Sequence, residues 1–111
     1  MFLVVKKPEP AVLPNFIFAY HGSKRPENPT QYMARWRAWV ESLGVALVKP
    51  VMPVGKSKTV GFSGVGDDGG SNPISGIAVV HAVSMDAALA LAQNCPHLEL
   101  GTIEVAPVME L

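Results

Sequence analysis

Residues 64–83 read GVGDDGGSNPISGIAVVHAV, and the element that follows the glycines decides the fold. The first six residues contain Gly-x-Gly-x-x-Gly at Gly64, Gly66 and Gly69. A dinucleotide fingerprint needs such glycines between a strand and a helix, so that a pyrophosphate rests on the helix N-terminus. Here Pro73 intervenes and the next element is GIAVVHAV, the clearest strand in the chain. Asp67 and Asp68 occupy the two positions inside the pattern, where negative charge opposes a phosphate. The stretch reads as a glycine-rich connection leading into a strand, with the glycines supplying backbone freedom.

Two neighbouring likenesses fail in the same way. PVGKSKT holds the Gly-Lys-Ser end of a phosphate-binding loop at Gly55, Lys56 and Ser57, but Pro50 stands where its first glycine belongs and a strand follows. DDGGSN lacks the alternating oxygen ligands and the distal glutamate of a calcium loop. A connection of about a dozen residues is nonetheless long for a small domain, as lids and interface arms are.

Before it, NFIFAYHG is a β-rich run from Asn15 with Phe16, Phe18 and Tyr20 on one face and Ile17 and Ala19 on the other. NPTQYMARWRAWVESLG predicts a helix capped by Asn28, with Pro29 at its first position, Gln31 in capping-box position and Gly44 as its stop. Met33, Trp36, Val40 and Leu43 form its expected inner stripe, flanked by Tyr32 and Trp39. VALVKPVMPVG predicts an edge strand or bend, because Pro50 and Pro53 cannot donate to a ladder. SKTVGF is a further short strand. After the glycines, Ser84 caps a helix over MDAALALAQNC whose expected inner face is Met85, Ala88, Leu89 and Ala92, and GTIEVAPVM is the last strand.

Two matched strand-helix-strand halves favour an α+β fold: a ferredoxin-like antiparallel sheet with both helices on one face. Strands apolar on both faces then require a second cover, most simply the sheet of another copy. The expectation is a homodimer.

At 111 residues the chain suits one domain, and 49% apolar against 16% charged residues is a globular composition. Formal net charge is zero and no basic stripe is present, so neither nucleic acid nor a membrane is an expected partner. Residues 1–14 combine a short apolar run, Lys6, Lys7 and three prolines, and read as an N-terminal arm or an extra edge strand preceding a domain over 15–111. A cytoplasmic location is expected, with the single Cys95 buried and inert.

The segments YHG from Tyr20, WRAWVESLG from Trp36, PVGKSKTV from Pro53, DDGGSNPISG from Asp67, CPHLELGTIEV from Cys95 and the terminal PVMEL together resemble the YCII-related family. They are similar to its branch of small stand-alone bacterial proteins, related to the DGPF-domain proteins. The resemblance covers about residues 16–111. It implies a dimeric α/β barrel of ferredoxin-like subunits, similar in architecture to muconolactone isomerases and small antibiotic-synthesis monooxygenases. Some YciI-type members carry a histidine at the start of the first helix paired with an aspartate, as an acid/base dyad. Here that helix begins PTQYMARW, with neither residue, so the dyad does not carry over.

Three histidines remain. His21, at the end of the first strand, is placed either to exchange protons near neutral pH or to bond loop backbone. His81 shares the face of Ile77 and Val79 as a core or interface histidine, and His97 is expected at the surface. No pair has metal-ligand spacing. Two functions fit. One is a small enzyme working without a cofactor on an apolar or aromatic metabolite, with His21 as acid/base and Lys58 or Asp68 orienting a polar group. The other is a non-catalytic dimer that holds a small molecule or protein partner. In either, Tyr20, Trp36, Trp39 and Met52 are the expected lining of an apolar cavity, with Ser57 beside it.

Overall fold

Alternation along the first strand sets the architecture. In a computed structural model, which describes residues 14–109, β1 spans Asn15–His21 and buries Phe16, Phe18 and Tyr20 on one face. The later elements are α1 (Pro29–Leu43), β2 (Leu47–Pro53), β3 (Thr59–Gly61), β4 (Gly64–Gly66), β5 (Ile74–His81), α2 (Met85–Ala92) and β6 (Thr102–Pro107). Short 3-10 turns cover Gly44–Ala46 and Pro96–Glu99.

Four strands form one antiparallel sheet in the order β2-β5-β1-β6. With two helices, this is an α+β fold whose strand order is compatible with a ferredoxin-like arrangement. Phe16, Phe18, Tyr20, Ala78 and Val80 form one cluster with Trp39 and Leu43 of α1 and Ala88 and Ala92 of α2, so both helices cover the same sheet face. Each large side chain fully buried there contributes roughly 2–3 kcal/mol of transfer free energy. The opposite face carries Ile17, Ala19, Ile77 and Val79, which pair across β1 and β5 and take no part in that cluster.

Both helix starts are capped as expected: Asn28 Oδ1 accepts from the Gln31 N–H at 3.1 Å, and Ser84 Oγ from the Ala87 N–H at 3.1 Å. The inner stripes are rotated from the expectation. In α1 the buried residues are Tyr32, Trp39 and Leu43, and Met33 is half exposed. In α2 they are Ala88 and Ala92, supported by Ala87 and Leu91, whereas Met85 and Leu89 lie outward. Alanines let α2 sit close on the sheet, beside an α1 whose Trp39 Nε1 donates to the Leu91 carbonyl at 3.1 Å.

The glycine-rich connection also differs from the expectation. Its first part is not loop but β4, which pairs with β3 as a separate two-stranded hairpin. Val60, Phe62 and Val65 of that hairpin are exposed. The signal was weak because two of the three residues of β4 are glycines. β2 is an edge strand as expected and contains two register irregularities, between Leu47 and Lys49 and between Lys49 and Met52. The N-terminal arm assigned to residues 1–14 lies outside the described residues, apart from Pro14. No described helix is long and apolar enough to cross a membrane.

Candidate functional site

A slot of about 340 Å³ opens between α1 and the helix-covered face of the sheet. Its walls are Tyr20 from β1, Met33 and Trp36 from α1, Val51 and Pro53 from β2, and His97 from the second 3-10 turn; Ser75 and Gly76 of β5 complete it. Aromatic edges build its inner end. The Tyr20 ring meets Trp36 edge-on at 5.6 Å and His97 at 5.3 Å between centroids. Gly76 makes room for Tyr20, since a Cβ there would stand 3.4 Å from the tyrosine ring and 3.2 Å from the Met52 carbonyl oxygen.

Polar atoms in this slot are few, and two of them are orphaned. Tyr20 is 2% exposed, yet its hydroxyl has no hydrogen-bond partner. Burial, with smaller contributions from Cys95 and Tyr32, raises its pKa far above the ordinary phenol value, so it stays a neutral O–H donor. The Ser75 hydroxyl is also buried without a partner. The strand register explains its position: Tyr20 pairs with Gly76 and His21 with Ile74, leaving Ser75 as the extra residue of a bulge. Bulges beside sites commonly re-aim one side chain in this way.

His97 is buried, contrary to the surface position expected of it. Its Nε2 donates to the His21 carbonyl at 2.9 Å, which pins the turn to the end of β1. A Cβ on Gly101 would stand 3.1 Å from that nitrogen and would run into the same carbonyl. The close approach of β6 to β1 therefore depends on glycine. Neighbouring Cys95 is a free thiol, buried as expected, whose pKa burial pushes up to about 12.

The His21 ring does not line the slot. It lies 3.0 Å by Nδ1 from the Asn72 carbonyl oxygen and 3.0 Å by Nε2 from Glu104 Oε1. Both partners are acceptors, so the ring bridges β6 and the glycine-rich connection and leaves no nitrogen spare for a third group.

Of the sequence-predicted lining, Tyr20 and Trp36 are in the slot and the rest are not. Trp39 stands behind Trp36, edge-on at 5.3 Å, and holds α2. Met52 pairs with Ile77 on the edge strand and is half exposed. Ser57 and Asp68 line a second cleft of about 710 Å³ on the far side of Ser75, and Lys58 is exposed and lines neither cavity. Met33, Val51, Pro53, Ser75, Gly76 and His97 are the slot residues that sequence reasoning missed. The face shared by Gly76, Ala78 and Val80 was readable from alternation, but the bulge that turns Ser75 inward was not. Among the described residues, no three His, Cys, Asp or Glu side chains converge to hold a metal ion.

Compared with protein-family models and with curated proteins, the chain matches none of either. The chemistry of the site therefore rests on its own geometry: an aromatic slot with two unpaired hydroxyls suits binding of a flat, largely apolar molecule with one hydrogen-bonding group.

Proposed function

We propose that this chain is a small-molecule-binding protein of the YCII-related type, which takes a planar apolar ligand into the slot between α1 and the sheet. The observation that carries this reading is the orphaned Tyr20 hydroxyl at the inner end of the slot. Leaving such a group buried and unpaired costs about 1–3 kcal/mol, a cost that a ligand acceptor removes. In the same reading a second copy packs on the sheet face of Ile17, Ala19, Ile77 and Val79, and the pair forms a dimeric barrel with one slot per subunit.

Calorimetric titration with 2-naphthol tests the slot. Saturable binding is expected, and Tyr20→Phe, which keeps the ring and removes the hydroxyl, should weaken it about fivefold or more. Because the substitution also removes the orphaned group, the unliganded variant should be at least as stable as the parent. Absence of saturable binding, or undiminished affinity in Tyr20→Phe, overturns the reading.

A second reading, acid–base catalysis by His21, is favoured by its pairing with Glu104 at 3.0 Å. It requires the ring to leave one of its two acceptors when ligand enters. A ligand-dependent change in the His21 ring ¹⁵N resonances supports it; unchanged resonances make His21 a clamp and discard it.

A further inference from the structure

The slot does not end at Ser75. That residue lines both the slot and the second cleft, so the two cavities adjoin at the bulge of β5. The cleft differs sharply in character. Lys24 and Arg25 reach it from the connection after β1, and Lys56 from the connection after β2. Asp68 is the carboxylate among its lining residues, so the formal balance is three positive charges against one negative.

None of the three cations has an ion-pair partner among the described residues. Asp68 is otherwise engaged: its Oδ1 accepts from the Gly70 N–H at 3.0 Å, and its carbonyl accepts from Thr59 Oγ1 at 3.1 Å. Two hydroxyls in the lining, Ser57 and Ser75, are buried without partners. The walls are fixed by the backbone. The Gly22 N–H donates to the Pro73 carbonyl at 2.9 Å and the Val54 N–H to the Ser75 carbonyl at 3.0 Å, joining the two connections to β5 and its approach. Gly69 packs so close to Ser57 that a Cβ would collide with its hydroxyl, and it would stand 3.0 Å from Pro73.

We infer that the molecule held in the slot carries an anionic group, a carboxylate or a phosphate, which passes Ser75 and lies in the cleft against Lys24, Arg25 and Lys56. The inference rests on the slot being a ligand site, and it narrows the ligand to a planar apolar body with an acidic end. Unpaired cations beside unpaired hydroxyl donors form a complete anion site: the hydroxyls donate to the oxygens, and the cations supply the countercharge. Polar groups at both ends fix the ligand's orientation, with its acidic group among the cations of the cleft and an acceptor on its body against the Tyr20 hydroxyl at the inner end of the slot.

The test compares 2-naphthoate and 2-naphthyl phosphate with neutral 2-naphthol, by calorimetry at low salt. The better of the two anions should bind at least about fivefold more tightly than 2-naphthol, and which one does so distinguishes carboxylate from phosphate. The advantage should shrink as salt rises, since the cations are exposed. The double variant Arg25→Gln/Lys56→Gln should abolish the advantage, whereas Arg37→Gln, on the solvent side of α1, should preserve it. If 2-naphthol binds and neither anion binds better, the anionic end is wrong and the slot stands. If 2-naphthol fails to bind, the slot itself is refuted and this inference with it, whatever the anions do. An anion advantage that survives the double variant also overturns the assignment to these residues.

Discussion

Gly101 carries more of the structure than its size suggests. Its N–H donates to the His97 carbonyl at 2.9 Å while His97 Nε2 donates to the His21 carbonyl, so three chain segments meet where a side chain has no room. Gly101→Ala should cost about 2 kcal/mol or more in urea unfolding, because the methyl group has to displace backbone and not the tip of a flexible side chain. It should also move His97 against Tyr20 and so change the Trp36 fluorescence. This junction is where residue-level reading of the sequence fell short. Residue type places a histidine after Cys95-Pro96 at the surface, and only the close packing of β6 on β1 buries it. Tyr20 and Trp36 were readable because strand alternation and helical spacing each point them at the same interior. The role of Met33 was readable only in part, since its position at the slot mouth follows from a rotation of α1 that spacing does not fix.

Between elements, the clearest tie is a bidentate pair in which the Arg35 guanidinium of α1 grips the Glu99 carboxylate of the second 3-10 turn. Arg35 holds the Glu99 carboxyl below its ordinary value of 4.5. A folded-state value depressed in this way gives a contribution to stability that is present above the unfolded value and is lost as pH falls through the folded one. The melting temperature of the parent should therefore exceed that of Glu99→Gln at pH 7, by a small margin because both groups are exposed, and the gap should close well below pH 4.5. A constant gap across that range would show that the pair contributes by packing alone. Elements were legible in proportion to the strength of their local signals. Asn28-Pro29 and Ser84 announce both helices because caps are local chemistry, and GIAVVHAV announces β5 because branched residues crowd it. The β3–β4 hairpin was half hidden, since glycine-valine-glycine has little strand preference and takes its pairing from Thr59–Gly61.

At the scale of the molecule, the order of elements predicted an α+β sheet with its helices on one side, and that much is observed. The other side is the face of Ile17, Ala19, Ile77 and Val79. If two copies pack there, light scattering after gel filtration should give twice the subunit mass at micromolar concentration. Val79→Lys, which sets a charge opposite Ile17, should raise the dissociation constant about a hundredfold while the circular dichroism stays native. A monomeric parent protein overturns the dimeric barrel. The broken edge at β2 bears on how any such association is limited. Pro50 and Pro53 have no amide hydrogen to offer, and two slips in the ladder spoil the spacing that an incoming strand would need to match. Growth by adding strand after strand is blocked along that border, so a ribbon cannot lengthen there.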